Sequence, residues 1–410
     1  MNIGKWLRIN YKKITGSIAF IPAIIAVCFL ILSLIMLEID FSEGGKNLKA
    51  SLSWLSLKDA STARSIIATV AGAIISLTVF SFSMVMIVLN QAASQMSNRV
   101  LSSMIENRFQ QIVLGFYIGT IVYALFLLTT IRDINSGVSV PALSIYLLIL
   151  LTVIDIFLFI YFLDYVTQTV KYETVIHRVQ KKTMATMKKN FTDRKDKIPD
   201  LRGLVRSEIK VAESDYYQGF DEKKVLQIAV NNGIRISFLY NESTYLIKGT
   251  VFMIVYGETV LTEDDIKKLL SAIDFYKGQP IERNADYGFR QLAEVAIKAL
   301  SPGINDPATA VTSLHALSDL FAYRLYYHAP LVIYGEDGLA RIEVKASTFS
   351  SIFDECIQPI WNYGKTDQYI QKQLNFMIDQ LKKADHEKKY DDLFDSLIDK
   401  IKIQTSKSDR

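Results

Sequence analysis

Cysteine is almost missing from this chain: Cys28 and Cys356 are the only two in 410 residues. That excludes a disulfide framework and any cysteine-based zinc site. Four histidines, His177, His315, His328 and His386, show no ligand spacing such as H-x-x-x-H. Eight prolines and 19 glycines are too few for a collagen-like or low-complexity chain. Charge is also sparse, at 21 % of residues against about 25 % in a soluble protein, and nearly all of the shortfall falls before residue 165. A net charge of +4 without a local patch gives no case for nucleic-acid binding. No P-loop, G-x-G-x-x-G, G-x-S-x-G or H-E-x-x-H motif occurs. The expectation is therefore a non-enzymatic chain with no cofactor, no metal and no catalytic residues.

Long apolar runs are present instead. They cover Gly16–Leu37, about Ser65–Asn90, Gln111–Ile131 and Pro141 to about Leu163. Each has the roughly 20 residues needed to cross a hydrocarbon core. The first is too long for a signal-peptide h-region and has no small-x-small site directly after it, so it reads as a retained helix. Basic residues set the expected orientation. Lys5, Arg8, Lys12, Lys13, Arg99 and Arg108, then Lys171, Arg178, Lys181, Lys182, Lys188 and Lys189, lie on one side. Lys46, Lys49, Lys58, Arg64 and Arg132 lie on the other, offset by Glu38, Asp40, Glu43, Asp59 and Asp133. Both termini are accordingly expected in the cytoplasm of a multi-pass membrane protein, with the lipid bilayer as its first partner.

The second run is unusually polar. Thr69, Ser76, Ser83, Asn90 and Ser97 fall at steps of seven. Such a step drifts only about 20° on a straight helix, so the five form one stripe. Two readings stand side by side. Small hydroxyl residues permit close helix packing, or the stripe lines a water-filled path between several copies of the helix. No acidic ring accompanies it, so strong divalent-cation selectivity is not indicated, and any ion or small ligand stays undefined. With no Gly or Pro after Gly72, the helix is expected to continue to about Ile105. Asp155 is the one ionisable residue well inside a run. It reads either as a proton-titrating or cation-contacting group, or as a carboxyl that joins two helices, for instance through a hydroxyl of the second span.

After residue 164 the pattern changes. Residues 165–200 read as a helical stalk and linker, whose basic cluster could touch anionic headgroups. Residues 201–345 read as an α+β domain. Strands are expected at LVRSEIKVAE, GIRISFLY, YLIKGTVFMIVYG, PLVIY and ARIEV, with helices over DEKKVLQIAVNN and from Thr262 to Tyr276. Lys248, between Ile247 and Gly249, lacks the flanks of a lysine that carries a prosthetic group. Asn284 can cap a helix that Ser301-Pro302-Gly303 ends, and Asp306 caps the next, with Pro307 in its first turn. The two helices make an αα-hairpin. A positive φ at Gly303 would bar any side chain there. Asp286 and Arg290, four apart, are placed to pair. Asn305 and Asp306 read as cap and turn chemistry or as a ligand or gating contact. Residues 346–410 read as two or three amphipathic helices that pack on the domain or on a neighbouring subunit.

Asp286, Gly288, Arg290 and Gln291, the run Ala299-Leu300-Ser301-Pro302-Gly303-Ile304-Asn305-Asp306-Pro307, then Thr309 and Ala310, carry a resemblance. So does NQAASQMSNRVL after the second span. The chain resembles the bacterial predicted membrane proteins grouped as domain of unknown function 2254, over roughly residues 1–330. The resemblance implies a bacterial inner-membrane protein and no mechanism. The expected whole is a four-helix transmembrane domain over residues 1–164 followed by a cytoplasmic α+β domain. As a function, a homo-oligomeric channel-like or pore-forming protein with a regulatory cytoplasmic domain is expected. The alternative is a non-conducting membrane sensor or scaffold.

Overall fold

A computed structural model describes residues 17, 19–51, 59–95, 108–131, 140–169, 171–193, 204–258, 262–277 and 281–408. The chain divides into two compact units, Met1–Thr174 and Val175–Arg410.

The first unit is built on four long apolar helices: α1 (Phe20–Phe41), α3 (Ala60–Gln95), α4 (Arg108–Thr130) and α5 (Ala142–Thr169), with the short α2 (Glu43–Ser51) after α1. All four are long and apolar enough to span a bilayer. α3 is described as far as Gln95; its expected extension to Ile105, and Ser97 with it, lies outside the described residues. Ile24, Val27 and Ile31 on α1, Phe82 and Ile87 on α3, and Leu150, Phe157 and Ile160 on α5 are exposed. That surface suits hydrocarbon rather than water.

The core of this unit gathers on α4. Gly115 and Gly119, four apart on one face, form a notch for α1. A Cβ at Gly115 would sit 2.5 Å from Ile25 Cδ1, and one at Gly119 only 2.7 Å from the Phe29 ring. Small residues at such spacing let two backbones approach where the apolar solvent supplies no drive. Phe29 packs edge-on to Phe116 at 5.6 Å beside that notch. On the other sides of α4, Tyr123, Ala124 and Leu127 meet Ile67 and Ala71 of α3 and Ile145 and Leu148 of α5. One end of the bundle is tied by Asp40. Its carboxylate accepts Leu143 N–H at 3.1 Å, Ser144 N–H at 2.7 Å and the Ser144 hydroxyl, so it caps the start of α5. The Lys49 ammonium of α2 lies 3.0 Å away. A carboxylate at a helix N-terminus meets both free N–H groups and the positive end of the dipole.

The second unit is α+β. Helix α6 (Tyr172–Asn190) buries Val175, Ile176, Val179, Thr183 and Met187 in it. Five strands, β1 (Val205–Lys210), β5 (Val251–Gly257), β3 (Arg235–Asn241), β8 (Ala340–Lys345) and β7 (Val332–Tyr334), form one sheet in that order. All neighbours are antiparallel except β3 and β8, where Ile236 lies opposite Ile342 in parallel. A second sheet has the order β4 (Tyr245–Leu246), β2 (Asp215–Phe220), β6 (Ile273–Phe275). Helices α7 (Glu222–Asn231) and α8 (Glu263–Ser271) cover the apolar core around Phe238, Phe252 and Tyr217.

One sequence expectation is corrected here. The helix expected from Thr262 to Tyr276 stops at Ser271. Ile273 and Phe275 pair instead with Phe220 and Tyr217 of β2, which buries Ile273. Strand β2, Asp215–Phe220, is an element additional to the strand and helix expected on either side of it. The C-terminal layer is helical: α9 (Asp286–Ala299), α10 (Pro307–Arg324), α11 (Phe349–Gly364), α12 (Gln368–Ala384) and α13 (Asp391–Ser408). Phe289, Phe321, Phe349, Phe353 and Phe394 interlock between these helices at centroid separations of 5.0–6.1 Å.

The notch yields a prediction. Gly119→Leu is expected to destabilise the first unit by about 1–3 kcal/mol or more, because the side chain must displace Phe29 in a close-packed site. Thermal unfolding of the purified chain in mild detergent measures the loss, and adding Phe29→Ala should recover part of it.

Candidate functional site

Two places concentrate polar side chains where an apolar core would otherwise be expected, one in each unit.

In the second unit a cavity of about 470 Å³ is lined by Phe191, Tyr217, Glu242, Asn284, Asp286 and Arg324, among others. Its floor is an ion pair. Arg324 Nη1 donates to Asp286 Oδ1 at 2.5 Å, with both side chains nearly inaccessible. Nη2 of Arg324 reaches the Ser347 carbonyl at 2.5 Å, and its guanidinium lies over the rings of Phe191 at 5.4 Å and Phe289 at 5.6 Å. The last turn of α10, the first turn of α9, the segment after β8 and the residue after α6 all meet at this one side chain.

Glu242 sits in the turn between β3 and β4. That turn is held on both sides: Asn284 Nδ2 donates to Ser243 Oγ at 3.2 Å, and Asn241 Nδ2 donates to Ser347 Oγ at 3.3 Å. Ser243 takes a left-handed φ of 79°. Below it Gly219, at φ 90°, makes room, for a Cβ there would lie 2.3 Å from Glu242 Oε1. Burial pushes the Glu242 carboxyl up to about 7; nearby Arg283 opposes the shift, and Asp286 and Asp274 add to it. Arg283 is itself engaged by Asp274 at 2.8 Å. The cavity thus offers one carboxylate that exchanges its proton near neutral pH, aromatic walls and two guanidinium groups already paired. That set suits binding and proton uptake. The Cys356 thiol is fully buried, and burial raises its pKa strongly, so it is no nucleophile.

The signature residues separate. Asp286 lines the cavity, whereas Arg290, Gly303, Asn305 and Asp306 do not. Asp286 and Arg290 do not pair with each other. Arg290 instead grips Glu355 of α11 with two bonds, at 2.6 and 3.2 Å. Asp286 turns inward to Arg324, so each member of the expected pair is taken by a partner on another helix, Asp286 by α10 and Arg290 by α11. Gly288 has a packing reason: a Cβ there would fall 1.7 Å from Thr183 Oγ1 of α6. Asp306 caps α10, accepting Thr309 N–H at 3.1 Å and its hydroxyl at 2.6 Å. Gly303 does not take a left-handed φ, and a Cβ there meets nothing within 4 Å. The left-handed residue is Asn305, at φ 50°, a conformation asparagine tolerates better than most.

In the first unit Thr69, Ser76, Ser83 and Asn90 are all exposed on α3. The face that packs on the other helices carries Ile67, Ala71, Ile74 and Ser81. Ser76 and Ser83 donate their hydroxyl protons to the Gly72 and Val79 carbonyls one turn back, at 3.0 and 2.8 Å. Asp155 lies elsewhere, fully buried on α5, with Tyr117 and Thr120 of α4 as its neighbours. Nothing in the sequence linked these residues to it.

The model of the family described as "Predicted membrane protein (DUF2254)" matches residues 15–380. The chain belongs to that family. It is similar to the uncharacterized protein Mb1321c of Mycobacterium bovis and the uncharacterized protein Rv1290c of Mycobacterium tuberculosis. Each is 22 % identical over 266 residues, covering 62 % of this chain and 51 % of the relative. The chain therefore spans about half the length of the curated relatives it matches. No solved structure matches it.

Asp306→Ala is expected to cost about 1 kcal/mol as a lost helix cap, whereas Gly303→Ala, in open space, should stay within about 0.5 kcal/mol of the parent; denaturant unfolding distinguishes them. The Glu242 carboxyl is harder to ionise folded than unfolded, where its ordinary value is 4.5. Its contribution to stability is therefore greatest below about 4.5 and falls as pH rises to about 7. In Glu242→Gln that part of the pH dependence of unfolding should disappear.

Proposed function

We propose that the chain is an integral membrane protein that assembles with copies of itself through α3 into a channel-like oligomer. In this reading both termini face the cytoplasm, and the second unit is the cytoplasmic regulatory domain. The observation that carries it is the exposure of Thr69, Ser76, Ser83 and Asn90 on the side of α3 turned away from the chain's own helices. A helix that meets only lipid gains nothing from small polar residues in register, whereas a facing copy or a hydrated axis gives them partners. Four spans in one chain are few for an aqueous path of its own, so the path runs between chains. The cavity around Glu242 supports the regulatory role, since proton exchange near neutral pH alters its charge beside Asp286 and Arg324.

A non-conducting sensor or scaffold is the second reading. It is favoured by the hydroxyls of Ser76 and Ser83, which already bond to their own helix, and by Gly72, whose Cβ position is open. Both suit a dry seam between helices.

Ser83→Cys in the full chain tests assembly. Disulfide crosslinking between copies in native-like membranes, with a mass in mild detergent above that of one chain, is the expected result. A stable monomer without crosslinks removes the oligomer. Ser83→Trp then separates the two readings: loss of conductance in planar bilayers with assembly intact supports a path, and wild-type bilayers silent at every pH support the seam.

A further inference from the structure

Among the described residues of the first unit, two carboxylates are fully buried, Asp40 and Asp155, and they are treated in opposite ways. Asp40 accepts three hydrogen bonds and faces the ammonium of Lys49. Asp155 has neither. Both of its oxygens are buried without a well-aligned hydrogen bond, and so are Tyr117 Oη, Thr120 Oγ1 and Ser81 Oγ; the Thr120 hydroxyl lies close enough to the carboxyl, and the Ser81 hydroxyl to the phenol, for a bond of poor geometry at most. The four residues are 0–3 % exposed. They form one group: Thr120 and Tyr117 neighbour the carboxyl, and Ser81 neighbours the Tyr117 phenol. Three helices contribute, α3, α4 and α5. Thr120 and Tyr117 are three apart on α4 and so share a face.

Depth makes the group costly. Asp155 is 13 residues from the start of α5 and 14 from its end, about 20 Å of helix either way, too far for its short side chain to reach a bilayer surface. No lysine or arginine occurs in α1, in α3 after Arg64, in α4 after Arg108 or in α5. Among the described residues, no basic side chain supplies a counter-charge to Asp155. An isolated carboxylate at such a site must be neutralised from outside the polypeptide, by a proton or by a bound cation.

We propose that Asp155, Thr120, Tyr117 and Ser81 form a binding site for one small monovalent cation of the sodium type, in exchange for the Asp155 proton. The donor set is all oxygen, a carboxylate with two hydroxyls and a phenol, which suits a hard cation. One carboxylate cancels one positive charge. A divalent ion would leave a full uncompensated charge in a low-dielectric interior, where that is most costly. The exchange balances: the carboxyl O–H bond breaks, the proton leaves to solvent, and the cation takes its place on the carboxylate and the neighbouring oxygens. The site stays neutral in both states, so exchange does not change the buried charge. The site lies within a single chain and stands or falls independently of assembly through α3.

The test uses the purified full chain in detergent, in sodium, potassium or choline chloride at equal ionic strength. Thermal unfolding should shift upward in sodium relative to choline and potassium. The sodium concentration for half the shift should rise about tenfold for each unit of falling pH in the range where the proton holds the site, as one-for-one exchange requires. Infrared difference spectra should show a protonated-carboxyl band that sodium removes and that is absent from Asp155→Asn. Thr120→Val and Ser81→Ala keep the carboxyl and should each raise the sodium requirement severalfold, which keeps the test valid if Asp155→Asn does not fold. Equal behaviour in all three salts, with a carboxyl band that sodium leaves unchanged, overturns the proposal and makes Asp155 a neutral link between helices. A sodium shift that persists in Asp155→Asn overturns it as well.

Discussion

The second unit depends on one buried ion pair, Asp286 with Arg324. Three other segments of the chain converge on that guanidinium, through a carboxylate, a carbonyl and two aromatic rings. Burying both charges has a desolvation cost of several kcal/mol per ion. What offsets it is the completeness of the arrangement: the flat faces of the guanidinium rest on apolar rings while its edges meet oxygen. Loss of either member would leave the other charged and without its partner, which typically costs about 3–5 kcal/mol. The same pair forms the floor of the cavity, so the chemistry offered to a ligand is tied to the contact that joins helices to sheet.

The first unit follows a different logic. Inside a bilayer, which these helices are long and apolar enough to cross, there is no water to escape, so apolar burial would do little to associate them and shape and hydrogen bonding would decide. The glycine notch on α4 supplies shape and Asp40 supplies a tether. Against that background the oxygens around Asp155 are the exception, a polar group in the middle of the bundle with none of the partners that Asp40 has. Structures tolerate such exceptions mainly where something other than packing is at stake.

Much of this was legible in the sequence because it is local. Apolar length marked four long helices, and Asp306 with Pro307 marked the start of α10, since a cap and a first-turn proline act on adjacent backbone. Asp155 was visible as a lone charge. What was hidden needs residues distant in sequence. Arg324 is 38 positions from Asp286, and nothing in the spacing says that Asp286 chooses it over Arg290. Tyr117, Thr120 and Ser81 are ordinary polar residues of apolar helices until packing gathers them. Strand β2 carries Gln218 and Gly219 where an apolar alternation would have announced it. The turn geometry assigned to Gly303 fell two residues later, on Asn305, because the chain passes through a turn at Ser301–Ile304 before it reverses.

The parallel pairing of β3 with β8 has a consequence for how the molecule is made. Ser237 and Glu343 face each other across 106 residues of chain, and β8 with β7 is the only part of the five-stranded sheet beyond β5. A ribosome releases β1, β3 and β5 first, then the whole α9–α10 hairpin, before β8 exists. Until then one side of β3 presents unpaired N–H and C=O groups, an edge that invites wrong partners. Closing so long a loop is slow, and slow closure lengthens that exposure. Birth of this protein thus passes through a stage in which its central strand waits open, and a chaperone or rapid hairpin formation has the most to protect at that moment.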